Sequence, residues 1–340
     1  MSHQSVPEIA SPCPLCAAPR ALRIEQFDRD GGALDVVVCR GCAVVRNHPM
    51  PDARELAAFY AMRYRREYKR TEHPRLRHAV RQYRPAAEHL RSLWSLYAEA
   101  GSVLDVGCGS GEVLHLLDLL DHDVEGIEPG AGYARHCRET LGLRVQAAGM
   151  DDAEVGRRFG LIRCFHVLEH LPHPVAALRR MSTWLEPQGR LLVEVPDFTV
   201  YCHHKRPGGI FHAGHLYNFT AGSFEQLVAD AGLAIERRLA TTTAVLRPVT
   251  DPLSEAGSDR AIAQEVEAIL RLYRRHCSGE AQHHHRPQRA FAKFRSRLAE
   301  QWACLQAGSI TQIAEREAAR LAAEFGHFNR APRPSIHAPA

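Results

Sequence analysis

Between residues 102 and 249, short apolar runs alternate with stretches whose apolar positions recur every three to four residues. This is the pattern of strands alternating with helices. The runs predict strands at Val103–Val106, Val124–Ile127, Arg144–Ala147, Leu161–Phe165, Gly189–Val195, Ala234–Leu239 and Ala244–Val249, with helices between them such as Gly111–Asp121 and Val175–Leu185. Seven strands interleaved with helices predict an α/β fold built on a doubly wound sheet. The pattern changes on either side. Residues 11–50 hold β-rich stretches such as Leu34–Val38, broken by Pro and Gly, whereas 52–98 read as helix. After Asp251 only helical periodicity remains, over 259–275, 287–306 and 309–326, before a Pro/Ala-rich tail. Four regions follow: 11–50, 51–98, 99–250 and 251–340.

Composition adds class and compartment. The chain has 340 residues, 45% hydrophobic and 24% charged, close to the average for globular proteins. No apolar run reaches the roughly 18 residues that a bilayer span requires, and the N-terminus lacks the charged and apolar regions of a signal peptide. These features predict a cytoplasmic protein without a membrane partner. The formal net charge is only +4, too small to imply broad nucleic-acid binding. Charge is nevertheless uneven: Arg54–Arg91 carries eleven Lys/Arg against four Glu, a net of +7, together with Tyr60, Tyr64, Tyr68 and Tyr83.

Ten cysteines in a reducing compartment point to metal or free thiols rather than disulfides. Four of them form two C-x2-C knuckles, Cys13-Pro-Leu-Cys16 and Cys39-Arg-Gly-Cys42, with 22 residues between. Each knuckle converges two thiolates on one ion, and two knuckles complete the S4 shell that zinc favours. Such a shell is closed, so the expected zinc is structural, in a ribbon-like domain over 11–50. Gly41, inside the second knuckle, is expected to supply a left-handed turn.

Asp105-Val-Gly107-Cys108-Gly109-Ser-Gly111 ends a predicted strand and opens a helix. Its glycines let backbone approach a ligand, and the helix start offers free N–H groups. The spacing differs from the G-x-G-x-x-G of dinucleotide folds. It resembles the first motif of class I S-adenosylmethionine-dependent methyltransferases. The resemblance continues in order through Val124-Glu125-Gly126-Ile127-Glu128-Pro129, Gly149-Met150-Asp151, Phe165-His166-Val167-Leu168-Glu169-His170-Leu171 and Leu185-Glu186-Pro187-Gln188-Gly189-Arg190-Leu191-Leu192-Val193. It implies a Rossmann-like methyltransferase sheet. The expected S-adenosylmethionine site comprises Asp105, Gly107, Cys108, Gly109, Gly111, Glu128, Pro129, Met150, Asp151 and His166, with Glu128 accepting both ribose hydroxyls.

With the cysteine knuckles, the chain is also similar to sugar C-methyltransferases of deoxysugar pathways. Phe211-His212-Ala213-Gly214-His215-Leu216-Tyr217-Asn218-Phe219-Thr220 resembles a segment that follows the fifth strand in that family. Two departures are visible: Gly214 stands where that family has Glu, and the chain ends in helices rather than in a second Rossmann-like domain. The acceptor is therefore not transferable from that family.

The sulfonium already activates the methyl group, so the protein must orient the acceptor and remove its proton. His215 is the expected general base, on a loop after the fifth strand where α/β ligands bind, and His212 is the second choice. Tyr64, with Tyr68, is expected on a basic lid whose Arg63, Arg65 or Arg66 would suit a phosphate-bearing acceptor such as a nucleotide sugar. His283, His284 and His285 read as a solvated loop. The alternatives are an RNA methyltransferase using the zinc domain and basic helices as a platform, and a non-catalytic cofactor-binding protein. The sequence Phe165-His166-Val167-Leu168 lacks the Asn/Asp-Pro-Pro-Tyr/Phe loop of many base-amino methyltransferases, which argues against nucleic acid.

Overall fold

Apolar runs in the middle of the chain build a seven-stranded sheet in the computed structural model, which describes residues 6–51, 55, 74, 76–249, 259–278 and 309–328. Its strands are β5 (Ser102–Val106), β6 (Asp123–Ile127), β7 (Val145–Gln146), β8 (Phe159–Phe165), β9 (Leu185–Glu194), β11 (Leu233–Ala240) and β12 (Thr243–Pro248). They lie in the order β11-β12-β9-β8-β5-β6-β7. β5, β6 and β7 pair in parallel, whereas β12 pairs antiparallel with both β11 and β9. Every residue of β5 is buried, the near-continuous apolar pattern of a strand covered on both faces. All seven expected strands are present, with shifted edges. β7 shrinks to two residues, and β9 starts at Leu185 because Glu186–Gln188 continue the strand, so the preceding helix ends at Thr183.

A second, five-stranded sheet has the order β1-β2-β3-β4-β10, from β1 (Glu8–Ala10), β2 (Arg20–Phe27), β3 (Ala33–Cys39), β4 (Val45–His48) and β10 (Tyr217–Asn218). All its pairings are antiparallel. The 11–50 segment does not close a core of its own. Val36, Val38, Ala43 and Val45 pack with Phe198, Cys202, Ile210, Phe211, Val266, Ile269 and Tyr273. The last three lie on the helix Asp259–Ser278, so part of the C-terminal region completes this core.

Contacts divide the chain into two units. One contains Met1–Thr71, Cys164–Thr183 and Arg190–Ala290; the other contains Glu72–Arg163, Trp184–Gly189 and Phe291–Ala340. In the second unit the helix Ile310–Phe325 buries Ala314, Ala318 and Leu321 and packs on the helices Leu76–Ser92 and Glu112–Leu119. Arg91 Nε binds Glu324 at 2.7 Å, and Trp94 stacks on Phe325 and Phe328. Tyr83 lies within Leu76–Ser92, buried, with its hydroxyl 2.6 Å from His115 Nδ1. Tyr64, Tyr68, Arg63, Arg65, Arg66, the helix 287–306 and His283–His285 lie outside the described residues. Among the described residues, no helix is long and apolar enough to cross a membrane.

Burial lowers the pKa of His115 to about 4, with Asp118 opposing and His136 reinforcing the shift. Between about pH 6.5 and 4 the unfolded chain therefore binds a proton that the folded chain does not. This contribution to stability is full above pH 6.5 and is lost as pH falls toward 4. A shift of this size corresponds to about 3 kcal/mol. Thermal melts of His115→Gln across that window should lose about one proton's worth of pH slope. An unchanged slope would assign the acid sensitivity elsewhere.

Candidate functional site

The glycine loop following β5 is shaped by three left-handed glycines: Gly107 at φ 75°, Gly109 at 58° and Gly111 at 80°. A Cβ on Gly111 would lie 2.8 Å from Cys137 Sγ, so both backbone conformation and packing require glycine there. A Cβ on Gly109 would meet nothing within 4 Å, so the loop's backbone borders open space that a ligand can enter. Gly107 and Cys108 N–H donate to Ile127 O at 2.7 and 3.1 Å, tying the loop to the end of β6. Cys108 is buried, its sulfur filling the space that a Cβ on Gly126 would need.

Glu128 follows β6 and is nearly buried. Its Oε2 accepts from Gly109 N–H at 3.0 Å and its Oε1 from Gly130 N–H at 2.7 Å. The carboxylate therefore holds the glycine loop to the end of β6. Pro129 beside it is exposed; Met150 is buried and Asp151 exposed, both in a turn after β7. Open backbone, N–H groups at a helix start and an acid at the next strand's end are a donor and acceptor set that fits the ribose and amino-acid ends of S-adenosylmethionine.

Asp105 has a different partner from the one its motif suggests. It is 1% exposed on β5, and both its oxygens bind Arg163 Nη1, at 2.8 and 2.9 Å. Burial raises its pKa while Arg163 opposes the rise. Asp105 thus belongs to a buried ion pair between β5 and β8. Arg163 did not stand out in the sequence, although it is the one charge in the run Leu161–Phe165.

In the other unit, the segment after β8 and the loop 209–216 bring histidines around one acid. His166 is exposed with φ 55°, a left-handed conformation unusual for a residue with a side chain. Its Nε2 lies 3.0 Å from Glu194 Oε1 and its Nδ1 3.6 Å from Glu169 Oε1. Burial opposes the charge, yet Glu169 and Glu194 together raise its pKa to about 9. Glu169 is fully buried, and neither carboxylate oxygen has a hydrogen-bond partner. His170 Nδ1–H donates to Gly214 O at 2.5 Å, which leaves its Nε2 3.7 Å from Glu169. His215 Nε2 is 3.9 Å from the same oxygen.

His212 and His215 lie together, with ring centroids 3.9 Å apart. Burial lowers the pKa of His212 to about 3, helped by Arg29, His170 and Lys205. It lowers that of His215 well below the usual value, helped by His170, His212 and His166. Both imidazoles are therefore neutral near pH 7. The structure therefore brings together the two expected histidines, and adds Glu169 and His170 to them.

The four knuckle cysteines also converge. Cys13 and Cys42 sulfurs are 3.7 Å apart and Cys16 and Cys39 sulfurs 3.5 Å apart, and all four lie within 4.8 Å of one another. A tetrahedron with Zn–S bonds of about 2.3 Å has edges of about 3.8 Å, so these residues fit zinc. The left-handed residues here are Ala17 and Ala43, one after each knuckle, at φ 60° and 56°. Gly41 corrects the expectation: it lacks positive φ and is needed because a Cβ would lie 2.5 Å from Ala18 Cβ.

Residues 68–237 match the family model described as a methyltransferase domain. The ubiquinone biosynthesis O-methyltransferase of Azorhizobium caulinodans is 30% identical over 127 residues, 36% of this chain and 48% of that protein. The enzyme of the same name from Xanthomonas axonopodis pv. citri is 32% identical over 104 residues, 28% of this chain and 44% of that protein. The chain thus spans about half the length of the curated relatives it matches. Among solved structures, DesVI of Streptomyces venezuelae is similar at 19% identity and a TM-score of 0.40, over 58% of this chain and 99% of that one. The sugar N-methyltransferase KedS8 of Streptoalloteichus sp. ATCC 53650 is similar at 20% identity and a TM-score of 0.38, over 56% and 93%. With half its length matched by the family model and the motifs of that fold in order along β5 to β9, the chain belongs to the methyltransferase-domain family.

Proposed function

We propose that the protein transfers a methyl group from S-adenosylmethionine to a small molecule, with zinc held by Cys13, Cys16, Cys39 and Cys42 as a structural ion. One observation carries the cofactor reading. Glu128 ties the open backbone of Gly109 to the end of β6, making a cradle in which ligand hydroxyls and loop N–H groups meet the same carboxylate. Met150, Asp151 and Pro129 complete the proposed cofactor residues of the same unit. Asp105 supports the loop through Arg163.

The acceptor's proton is read as passing to the imidazole cluster, His215 first and His212 second, because the two rings lie together on one loop; burial keeps both unprotonated near pH 7 but lowers their basicity. Arg29 and Lys205, whose charges act on His212, favour an acceptor bearing negative charge, as a nucleotide sugar does. The names of the ubiquinone-pathway relatives support a hydroxyl as the methylated group. The acceptor is thus read as a hydroxylated sugar, nucleotide sugar or related natural-product intermediate.

Calorimetry with S-adenosylmethionine tests the cradle. Glu128→Ala should weaken binding by about 1.5–3 kcal/mol, the range for hydrogen bonds to a charged group. Unchanged affinity would place the cofactor elsewhere. Labelled methyl should pass to pooled nucleotide sugars and hydroxylated small molecules; label entering bulk RNA instead would overturn the choice of acceptor.

A further inference from the structure

Glu169 is the least explained side chain among the described residues. Its carboxylate is completely buried, yet neither oxygen is within hydrogen-bond distance of a donor. A buried carboxylate left in this way is costly, and such groups are ordinarily paired or bound to a metal. Three imidazole nitrogens face its Oε1: His166 Nδ1 at 3.6 Å, from an exposed ring that also contacts Glu194, and the largely buried His170 Nε2 at 3.7 Å and His215 Nε2 at 3.9 Å. One ligand atom from each of Glu169, His170 and His215 lies within 4.8 Å of the others. Ligands about 2.0–2.1 Å from a tetrahedral ion sit about 3.4 Å apart, so shifts of about half an ångström would bring the carboxylate–imidazole pairs to bonding geometry.

We infer that Glu169, His170 and His215 form a second metal site, which takes a divalent first-row transition ion through one carboxylate and two imidazoles. Two imidazoles select against magnesium and calcium, which prefer oxygen ligands. His170 has the support typical of a metal ligand: its Nδ1–H donates to Gly214 O, which fixes the tautomer and aims Nε2 at Glu169. The residue at position 214 presents only a backbone carbonyl to that contact, so the support does not depend on a side chain there. The donor set differs from the four thiolates of the knuckles in softness and in leaving coordination positions open, as catalytic sites do.

The consequence for the reaction rests on the methyl-transfer reading above. An acceptor hydroxyl bound at an open position would lose its proton more readily, and with His215 engaged as a ligand the proton would pass to neighbouring His212. The bond forming is then acceptor oxygen to methyl carbon; the bond breaking is methyl carbon to sulfonium sulfur, which leaves as a neutral thioether.

The test uses full-length protein with its knuckle cysteines already zinc-loaded, titrated with Co²⁺ alone. We expect about one further equivalent per chain, giving visible ligand-field bands without the near-ultraviolet thiolate-to-cobalt band that Cys13–Cys42 ligation would produce. Glu169→Gln and His215→Ala should each lose that equivalent, whereas His166→Ala should keep it. Absence of a second equivalent in the wild-type protein, or its persistence in both ligand variants, would overturn the site. S-adenosylmethionine affinity measured on the same samples separates the two readings. Retained cofactor binding without a second cobalt leaves methyl transfer standing and removes only the metal. Cobalt binding without cofactor binding does the reverse.

Discussion

Turnover of His215→Ala on the true acceptor should fall about 10²–10⁴-fold, the usual worth of general-base assistance, whether His215 takes the proton itself or, as a metal ligand, hands it to His212, while S-adenosylmethionine affinity stays nearly unchanged. The expectation follows from placement and environment. His215 is on the loop after β9, its ring beside that of His212, and burial keeps it neutral near pH 7. The separation of rate from cofactor affinity is the informative part. A variant that merely misfolded would lose both, so calorimetry on the same preparation is the control. His215→Ala turning over at the wild-type rate would move the role to His212, whose own alanine variant would then carry the loss. An acceptor that is already anionic would need only positioning, and both variants would then be mild.

Removing zinc should have the other large effect. Structural zinc supplies about 10–16 kcal/mol in small zinc peptides, and here it would add to the packing of Val36, Val38, Ala43 and Val45 in the core they share with Phe198 and Phe211. Cys39→Ser, or treatment with a strong chelator, should abolish protection from hydrogen exchange over residues 13–42. The loss should spread to the histidine loop. Asn47 N–H donates to Leu216 O at 3.0 Å, and its side chain donates to His212 O at 3.2 Å, so β4 anchors that loop directly. Exchange over 212–218 should therefore rise with that over 13–42 and before that over β5 and β6. Elemental analysis finding no zinc in protein purified without chelator would end the assignment. Exchange confined to 13–42 would break the link to the loop.

The seven strands were readable because each is a short apolar run bounded by polar turns, and the pattern survives in a single chain. The cofactor loop was readable for a similar reason: Gly107, Gly109 and Gly111 are spaced by a backbone need that few other residues can meet. What escaped depended on distant partners. Nothing local announced that Asp105, an expected cofactor residue, would pair with Arg163, 58 residues later in the chain. Gly41 was explained by conformation, whereas crowding by Ala18 is the actual requirement. Glu169 sat inside a recognised motif, and nothing local announced that its carboxylate would be buried among imidazoles from the motif and from a loop some 45 residues on. The short strand β10 had no periodicity to read at two residues, and it exists because β4 offers an edge.

That edge has a consequence for how the chain is made. Tyr217 pairs with Arg46 and Asn218 with Val45, so the N-terminal sheet's last strand lies 171 residues downstream of the strand it completes. At about 5–20 residues per second, synthesis leaves β4 waiting roughly 10–30 s for its neighbour. During that interval its unpaired N–H and C=O groups form a template on which another strand could add. Cys13, Cys16, Cys39 and Cys42 have all left the ribosome well before then. On the zinc reading proposed above, early metal capture would hold β1 to β4 in register through the wait, and the yield of folded protein should follow zinc supply during translation more than zinc added afterwards.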